Sequence, residues 1–87
     1  MYGKRAGSYR PFVPGRARLP PARQRLAAAA KRERARLGWT QEQAAETARL
    51  NIRHYQKIED GSVNVALRTV ELLGEAFGVD IAELLRG

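Results

Sequence analysis

The segment from Trp39 to Gly61 constrains the fold of this chain more than any other part of its sequence. It has the pattern of two short helices with a tight connection between them. The first helix begins with a capping box, because Thr40 is followed three residues later by Gln43. The second begins at Asn51, a favourable N-cap residue, and Gly61 ends it in a left-handed conformation. Two such helices are the right size for one to cross a DNA backbone while the other enters the major groove.

Helix-favouring sequence flanks this segment on both sides. Residues 22–37 are rich in alanine, arginine, glutamine and leucine, follow Pro20-Pro21 and end at Gly38. Apolar spacing predicts a fourth helix over about residues 66–77 and a short fifth helix capped by Asp80. The fourth would place its apolar residues on one face: Leu67, Val70, Leu73 and Phe77. Since no segment has the pattern of a strand, we expect an all-α, compact five-helix bundle.

Length and composition limit the class of protein. The 87 residues suit one small domain, which we place at residues 20–87. The chain has no cysteine, so disulfides, thiolate metal sites and thiol catalysis are excluded. No apolar run approaches the roughly 18–20 residues that span a bilayer, and no apolar stretch typical of a secretory signal follows the N-terminus. We therefore expect a cytoplasmic protein that does not bind membranes.

The net charge of +7 is concentrated near the N-terminus. Residues 1–36 carry eleven Lys or Arg and one acidic residue, whereas residues 37–87 carry five against eight. Glycines and prolines interrupt residues 1–19, so we expect a disordered basic arm there. Its aromatic residues lie among the basic ones, as in arms that follow phosphates and the minor groove. A simple solubilising tail remains the alternative.

Residue combinations typical of catalysis or metal binding are missing from the sequence. His54 is the single histidine and has neither cysteines nor clustered carboxylates to complete a metal site. Glu42 and Glu46 share a helical face, as do Glu71 and Glu75, but no nucleophile or glycine-rich phosphate loop accompanies them. We therefore expect no enzyme, no cofactor and no metal.

From about Leu26 to its end, the chain resembles the lambda-repressor-like, or Cro/Xre-type, helix-turn-helix family. The signature keeps the family's order and spacing: Arg34, Gly38-Trp39-Thr40-Gln41, Ala44-Ala45, Leu50-Asn51, Tyr55, Ile58-Glu59, Gly61, Asn64, Leu67, Thr69-Val70, Ala76-Phe77-Gly78-Val79 and Leu84-Leu85. The resemblance implies a sequence-specific DNA-binding transcriptional regulator of bacterial or phage type. Because one small domain covers little DNA surface, we expect a homodimer on double-stranded DNA.

The resemblance also implies roles for individual residues. Gln41 would contact a DNA phosphate, and Ser62 and Asn64 in the loop after the third helix would make further backbone contacts. The third helix, about residues 51–59, would read base edges in the major groove. The residues that it would use for this are Ile52, Arg53, His54, Gln56 and Lys57.

Other matched positions concern the architecture of the domain. Arg34 and Glu59 occupy positions that form a structural ion pair between the first and third helices in the family. Arg49 stands where the family has a turn glycine, so this turn must either adopt a left-handed backbone at some cost or change shape. Trp39 is expected to fill the core between the first two helices.

Two questions remain open from the sequence. The apolar residues of the last helix, Ile81, Leu84 and Leu85, fit either a dimer contact or the core of the bundle. The alternative function is a protein-interaction module of the same fold, an antitoxin or anti-repressor that acts mainly on a protein partner. The acidic C-terminal half would suit a basic partner of that kind.

Overall fold

The computed structural model describes residues 20–87, which form five helices and no strand. In chain order the helices are α1 (Ala22–Leu37), α2 (Gln41–Thr47), α3 (Ile52–Asp60), α4 (Leu67–Phe77) and α5 (Ile81–Arg86). Helix α1 packs against α3, α4 and α5, whereas α2 packs against α3 and α4. The expected all-α five-helix bundle is confirmed. The predicted arm, residues 1–19, lies outside the described residues.

Local sequence determines where the helices begin and end. The Oγ1 atom of Thr40 accepts a hydrogen bond from the Gln43 N–H at 3.1 Å, and the Gln43 side chain accepts one from the Thr40 N–H at 2.8 Å. The predicted capping box is therefore formed. Asn51 and Asp80 cap α3 and α5 through their side-chain oxygens. Gly61 ends α3 with a φ of +70°, which a glycine adopts without strain.

The core combines small and large side chains from all five helices. Alanines on α1 and at α2 let these helices approach their neighbours closely, while one buried tyrosine and several aliphatic residues fill the remaining volume. The buried cluster consists of Leu26, Ala29, Ala30, Ala44, Ala45, Ala48, Tyr55, Ile58, Val70, Leu73, Phe77 and Leu84. No helix within residues 20–87 has the length and apolar character needed to cross a bilayer.

The structure corrects the expected positions of two apolar side chains. Leu67 is 68% exposed, so it does not belong to the buried face of α4. It is the first residue of that helix and lies beyond the region where neighbouring helices cover the apolar face. Trp39 is half-buried, and its ring lies against Phe77 with 6.1 Å between ring centroids. It therefore packs on α4 rather than only between the first two helices.

The burial of the apolar residues of α5 shows which of them belong to the core and which could contact a second copy. Leu84 is fully buried, with 0% exposure, and belongs to the core. It is therefore not available to a second copy, and the expectation of a dimer contact at this residue is corrected. Ile81 and Leu85 pack against the core but are only half-buried. A dimer contact at these two residues stays a prediction.

The turn between α2 and α3 contains a strained residue. Arg49 has a φ of +61°, whereas every other described residue with positive φ is a glycine. A left-handed conformation costs a residue with a Cβ atom about 1–2 kcal/mol. Of the two alternatives for this turn, the structure shows the left-handed backbone, with the conformational strain that it imposes on Arg49.

Replacing Arg49 with glycine should stabilise the domain. Relief of the left-handed strain exceeds the extra backbone entropy that glycine loses on folding, so we expect a gain of about 0.5–1 kcal/mol in the free energy of unfolding. Urea unfolding followed by Trp39 fluorescence measures this gain. The Arg49→Ala variant keeps the Cβ atom and serves as the control. Equal effects of the two substitutions would contradict the assignment of strain.

Candidate nucleic-acid interface

One side of α3 carries polar side chains that face away from the core. Its outward residues are Arg53, Gln56, Lys57 and Asp60, and all four are exposed. Arg53 and Lys57 lie one helical turn apart, and neither has a carboxylate oxygen within 4.0 Å among residues 20–87. Cations presented on an exposed helix can donate to DNA phosphates or to the O6 and N7 atoms of guanine.

The predicted base-contacting residues do not all share this outward side. Ile52 is half-buried and packs against the core, which corrects the expectation that it faces outward. Burial of its apolar side chain is favourable, and little of it remains for contact with a base. His54 is also half-buried. Asp60 was not anticipated, although its spacing of three from Lys57 and four from Gln56 places it on the same helical side.

The side chain of Gln41, at the first position of α2, is held by two hydrogen bonds. Its Nε2 atom donates to the Oε1 atom of Glu59 at 3.0 Å, and its Oε1 atom accepts from Nε2 of Gln56 at 3.3 Å. An amide nitrogen carries two N–H donors, so one of them remains for a phosphate. The predicted phosphate contact of Gln41 thus involves an amide that the protein already orients.

The Glu59 carboxylate joins α1, α2 and α3. Arg34 donates from Nε to Oε2 at 2.7 Å and from Nη2 to Oε1 at 3.1 Å, so the two residues form a bidentate ion pair. The Tyr55 hydroxyl, one turn earlier in α3, also donates to Oε2. Arg34 further donates from Nη1 to the Trp39 carbonyl at 3.1 Å. Because Glu59 is only 2% exposed, these donors compensate a charge that water does not reach.

These hydrogen bonds lower the pKa of Glu59. Burial by itself raises the pKa of this carboxyl, but the bonds from Arg34, Tyr55 and Gln41 outweigh burial and bring the pKa below its ordinary 4.5. The pKa of Tyr55 is raised, first by burial and then by its bond to the Glu59 carboxylate. The pKa of Glu33 is also lowered, chiefly by its hydrogen bond from Arg36.

The two lowered carboxyl pKa values predict sensitivity to acid. A carboxyl whose pKa is lower in the folded state than in the unfolded state stabilises the fold at pH values above the unfolded-state pKa. This stabilisation is lost as the pH falls through the folded-state pKa. We expect the free energy of unfolding to decrease as pH falls below about 4.5, the ordinary value of both groups. Urea unfolding at a series of pH values tests this. The Glu33→Gln variant, with one of the two groups removed, should show the weaker dependence, and an equal slope would contradict the assignment.

The loop after α3 lies beside α1. The hydroxyl of Ser62 donates to the Lys57 carbonyl at 3.3 Å and so helps to close the end of α3, while Asn64 is exposed. A Cβ atom at Gly61 would lie 3.6 Å from the Ala27 Cβ atom. Ser62 and Asn64, which are predicted to contact the DNA backbone, therefore follow a glycine that lies against α1.

Two comparisons with known proteins identify the family of this fold. A family model described as helix-turn-helix matches residues 30–84, more than half of the chain. The crystal structure of the clp gene regulator ClgR from C. glutamicum is similar, with a TM-score of 0.71 and 28% sequence identity over 78% of this chain and 88% of that chain. No curated protein has a significantly similar sequence. The family consists of DNA-binding regulators and is not a class of enzymes. The chain therefore belongs to the lambda-repressor-like, Xre-type helix-turn-helix family.

Proposed function

We propose that this protein is a sequence-specific transcriptional regulator whose helix α3 reads the major groove of double-stranded DNA. One observation carries the proposal: the hydrogen bond between Gln56 and Gln41 brings the outward side of α3 and the start of α2 onto one surface. On that surface Arg53 and Lys57, which have no carboxylate partner within residues 20–87, would donate to base edges, while Gln41 would donate to a phosphate. The similar ClgR structure is also that of a gene regulator, which supports this role.

A two-fold dimer is part of the proposal. A single domain of this size contacts little DNA, and two copies on half-sites about one helical turn apart would double the contact. Ile81 and Leu85 remain partly exposed on α5 and are the candidates for the contact between copies. The outward sides of the two α3 helices would then enter successive major grooves.

Selection from a random-sequence DNA pool at physiological salt, followed by sequencing, tests the proposal. We expect enrichment of a two-fold-symmetric motif, whose half-site spacing also gives the separation of the two α3 helices. Weak, salt-sensitive binding without enrichment of any motif would contradict the proposal of a sequence-specific regulator. That outcome would favour the alternative, a module of the same fold that acts on a protein partner.

A further inference from the structure

The edge where α1 meets α3 is defined by contacts at both of its ends. At one end, a Cβ atom at Gly61 would lie 3.6 Å from the Cγ atom of Gln24 and from the Cβ atom of Ala27. At the other end, Arg34 donates to Glu59. Residues 24, 27 and 34 therefore belong to one edge of α1, and this edge meets the C-terminal end of α3 at Glu59 and Gly61.

Lys31 belongs to this edge. With about 3.6 residues per turn, it lies around the helix between Gln24 and Ala27, and along the axis between Ala27 and Arg34. Its side chain is exposed, and within residues 20–87 no carboxylate oxygen lies within 4.0 Å of its ammonium group. A cation without an acidic partner among residues 20–87 thus belongs to the edge of α1 that meets the C-terminal end of α3.

The position of Lys31 relative to Gln41 indicates what it would contact. Lys31 is one turn from Arg34, and the Arg34 guanidinium shares the Glu59 carboxylate with the Gln41 amide. Arg34 therefore links the edge of α1 that carries Lys31 to Gln41, the first residue of α2. The Lys31 ammonium group has three donors, no acceptor and a flexible stem, properties that suit a phosphate better than the fixed pattern of a base edge.

We propose that Lys31 is a further phosphate contact, which makes this edge of α1 a third part of the DNA-binding surface beside α2 and α3. The proposal rests on the proposed function, since it requires α3 to lie in the major groove. The phosphate would belong to the strand that passes over the start of α2. Contacts of this kind fix the position of a protein on the duplex without carrying sequence information.

The neighbouring residue provides a matched control. Arg32 has the same charge, and its side chain is 47% exposed, but it lies on the other edge of α1. There it bonds Glu33, which Arg36 also bonds at 2.7 Å, and Arg36 donates to the Phe77 carbonyl at the end of α4 at 3.0 Å. That edge faces α4 rather than α3, so a charge removed from it leaves the proposed contact intact.

The test measures the salt dependence of DNA binding by the full-length chain and its Lys31→Gln and Arg32→Gln variants. Fluorescence anisotropy over a range of salt concentrations gives the slope of log K against log salt for a selected duplex and for an unrelated one. Loss of one phosphate contact should reduce this slope by about 0.9. We expect that reduction for Lys31→Gln on both duplexes, with unchanged base preference, and the wild-type slope for Arg32→Gln. Thermal unfolding of each variant checks that the fold is retained.

The possible outcomes separate this inference from the function on which it rests. If the wild-type protein binds a preferred sequence but Lys31→Gln keeps the wild-type slope, the contact is absent while the proposed function stands. A stability change without a slope change would mean that Lys31 acts on the fold alone, and it also overturns the contact. A changed base preference would make Lys31 a base reader instead. If the wild-type protein binds no DNA, both proposals fail.

Discussion

Replacing Arg34 with alanine should lower the free energy of unfolding by about 3–5 kcal/mol, the usual effect of removing one member of a buried ion pair. The substitution leaves the Glu59 carboxylate, which is 2% exposed, without its bidentate partner. The Trp39 carbonyl also loses a donor. Small domains have a free energy of unfolding of only about 5–15 kcal/mol. A loss of this size would therefore bring the variant close to its unfolding transition at room temperature. Urea unfolding followed by fluorescence of the single tryptophan measures the loss.

An exposed ion pair on α4 provides the control for this experiment. The side chains of Arg68 and Glu71 are 68% and 53% exposed, and their closest atoms are 3.3 Å apart. Exposed pairs contribute about 0–1 kcal/mol, so Arg68→Ala should change stability little. If Arg34→Ala were no more destabilising than Arg68→Ala, the pair with Glu59 would not be the strong connection between α1 and α3 that its geometry indicates.

Replacing Arg53 with alanine should weaken binding to the preferred DNA sequence by about 1–3 kcal/mol, which corresponds to roughly 5- to 150-fold in affinity. The guanidinium is exposed on the outward side of α3 and has no carboxylate partner within residues 20–87. Alanine favours the helix, so the fold should be retained. Affinity for the selected duplex, and for duplexes altered at each base pair in turn, measures both the loss and its position in the site.

The pattern of loss distinguishes base reading from phosphate contact. A base-reading arginine should make the variant indifferent to the identity of one base pair, whereas a phosphate contact would weaken all sequences about equally. Arg86→Ala, on α5 and paired with Glu83 at 3.0 Å, should leave binding unchanged. Full affinity in the Arg53→Ala variant would contradict the assignment of Arg53 to the reading surface.

Features that depend on neighbouring residues in the chain were predictable from the sequence. The capping box at Thr40, the N-caps at Asn51 and Asp80 and the glycine that ends α3 involve partners within four residues. The predicted starts of these helices and the end of α3 therefore agree with the structure to within a residue or so. The resemblance supplied the long-range connection between Arg34 and Glu59, which composition and periodicity do not contain. Local rules therefore sufficed for the helices and a family pattern for one tertiary contact.

Features that depend on where one helix stops covering another were not predictable. Periodicity assigned Leu67 to the apolar face of α4 and Ile52 to the outside of α3, but the neighbouring helices leave the first exposed and bury half of the second. The bonds of Gln41 to Glu59 and Gln56 depend on the orientation of an amide, which its tertiary surroundings set. The hydrogen bond between Arg36 and the Phe77 carbonyl joins residues 41 positions apart and has no local signal.

The packing of α1 has a consequence for synthesis of the chain on the ribosome. Within residues 20–87, the helices that pack on α1 all follow it in sequence, and α5 is the last of the five. Because a chain leaves the ribosome with its N-terminal part first, α2 and α3 can already pack together while the inward face of α1 still lacks α4 and α5. Four successive alanines, Ala27 to Ala30, occupy the middle of α1. Alanines favour a helix before it packs, and their small side chains expose little apolar surface. Segment 27–30 therefore has a low tendency to aggregate before the other helices are made.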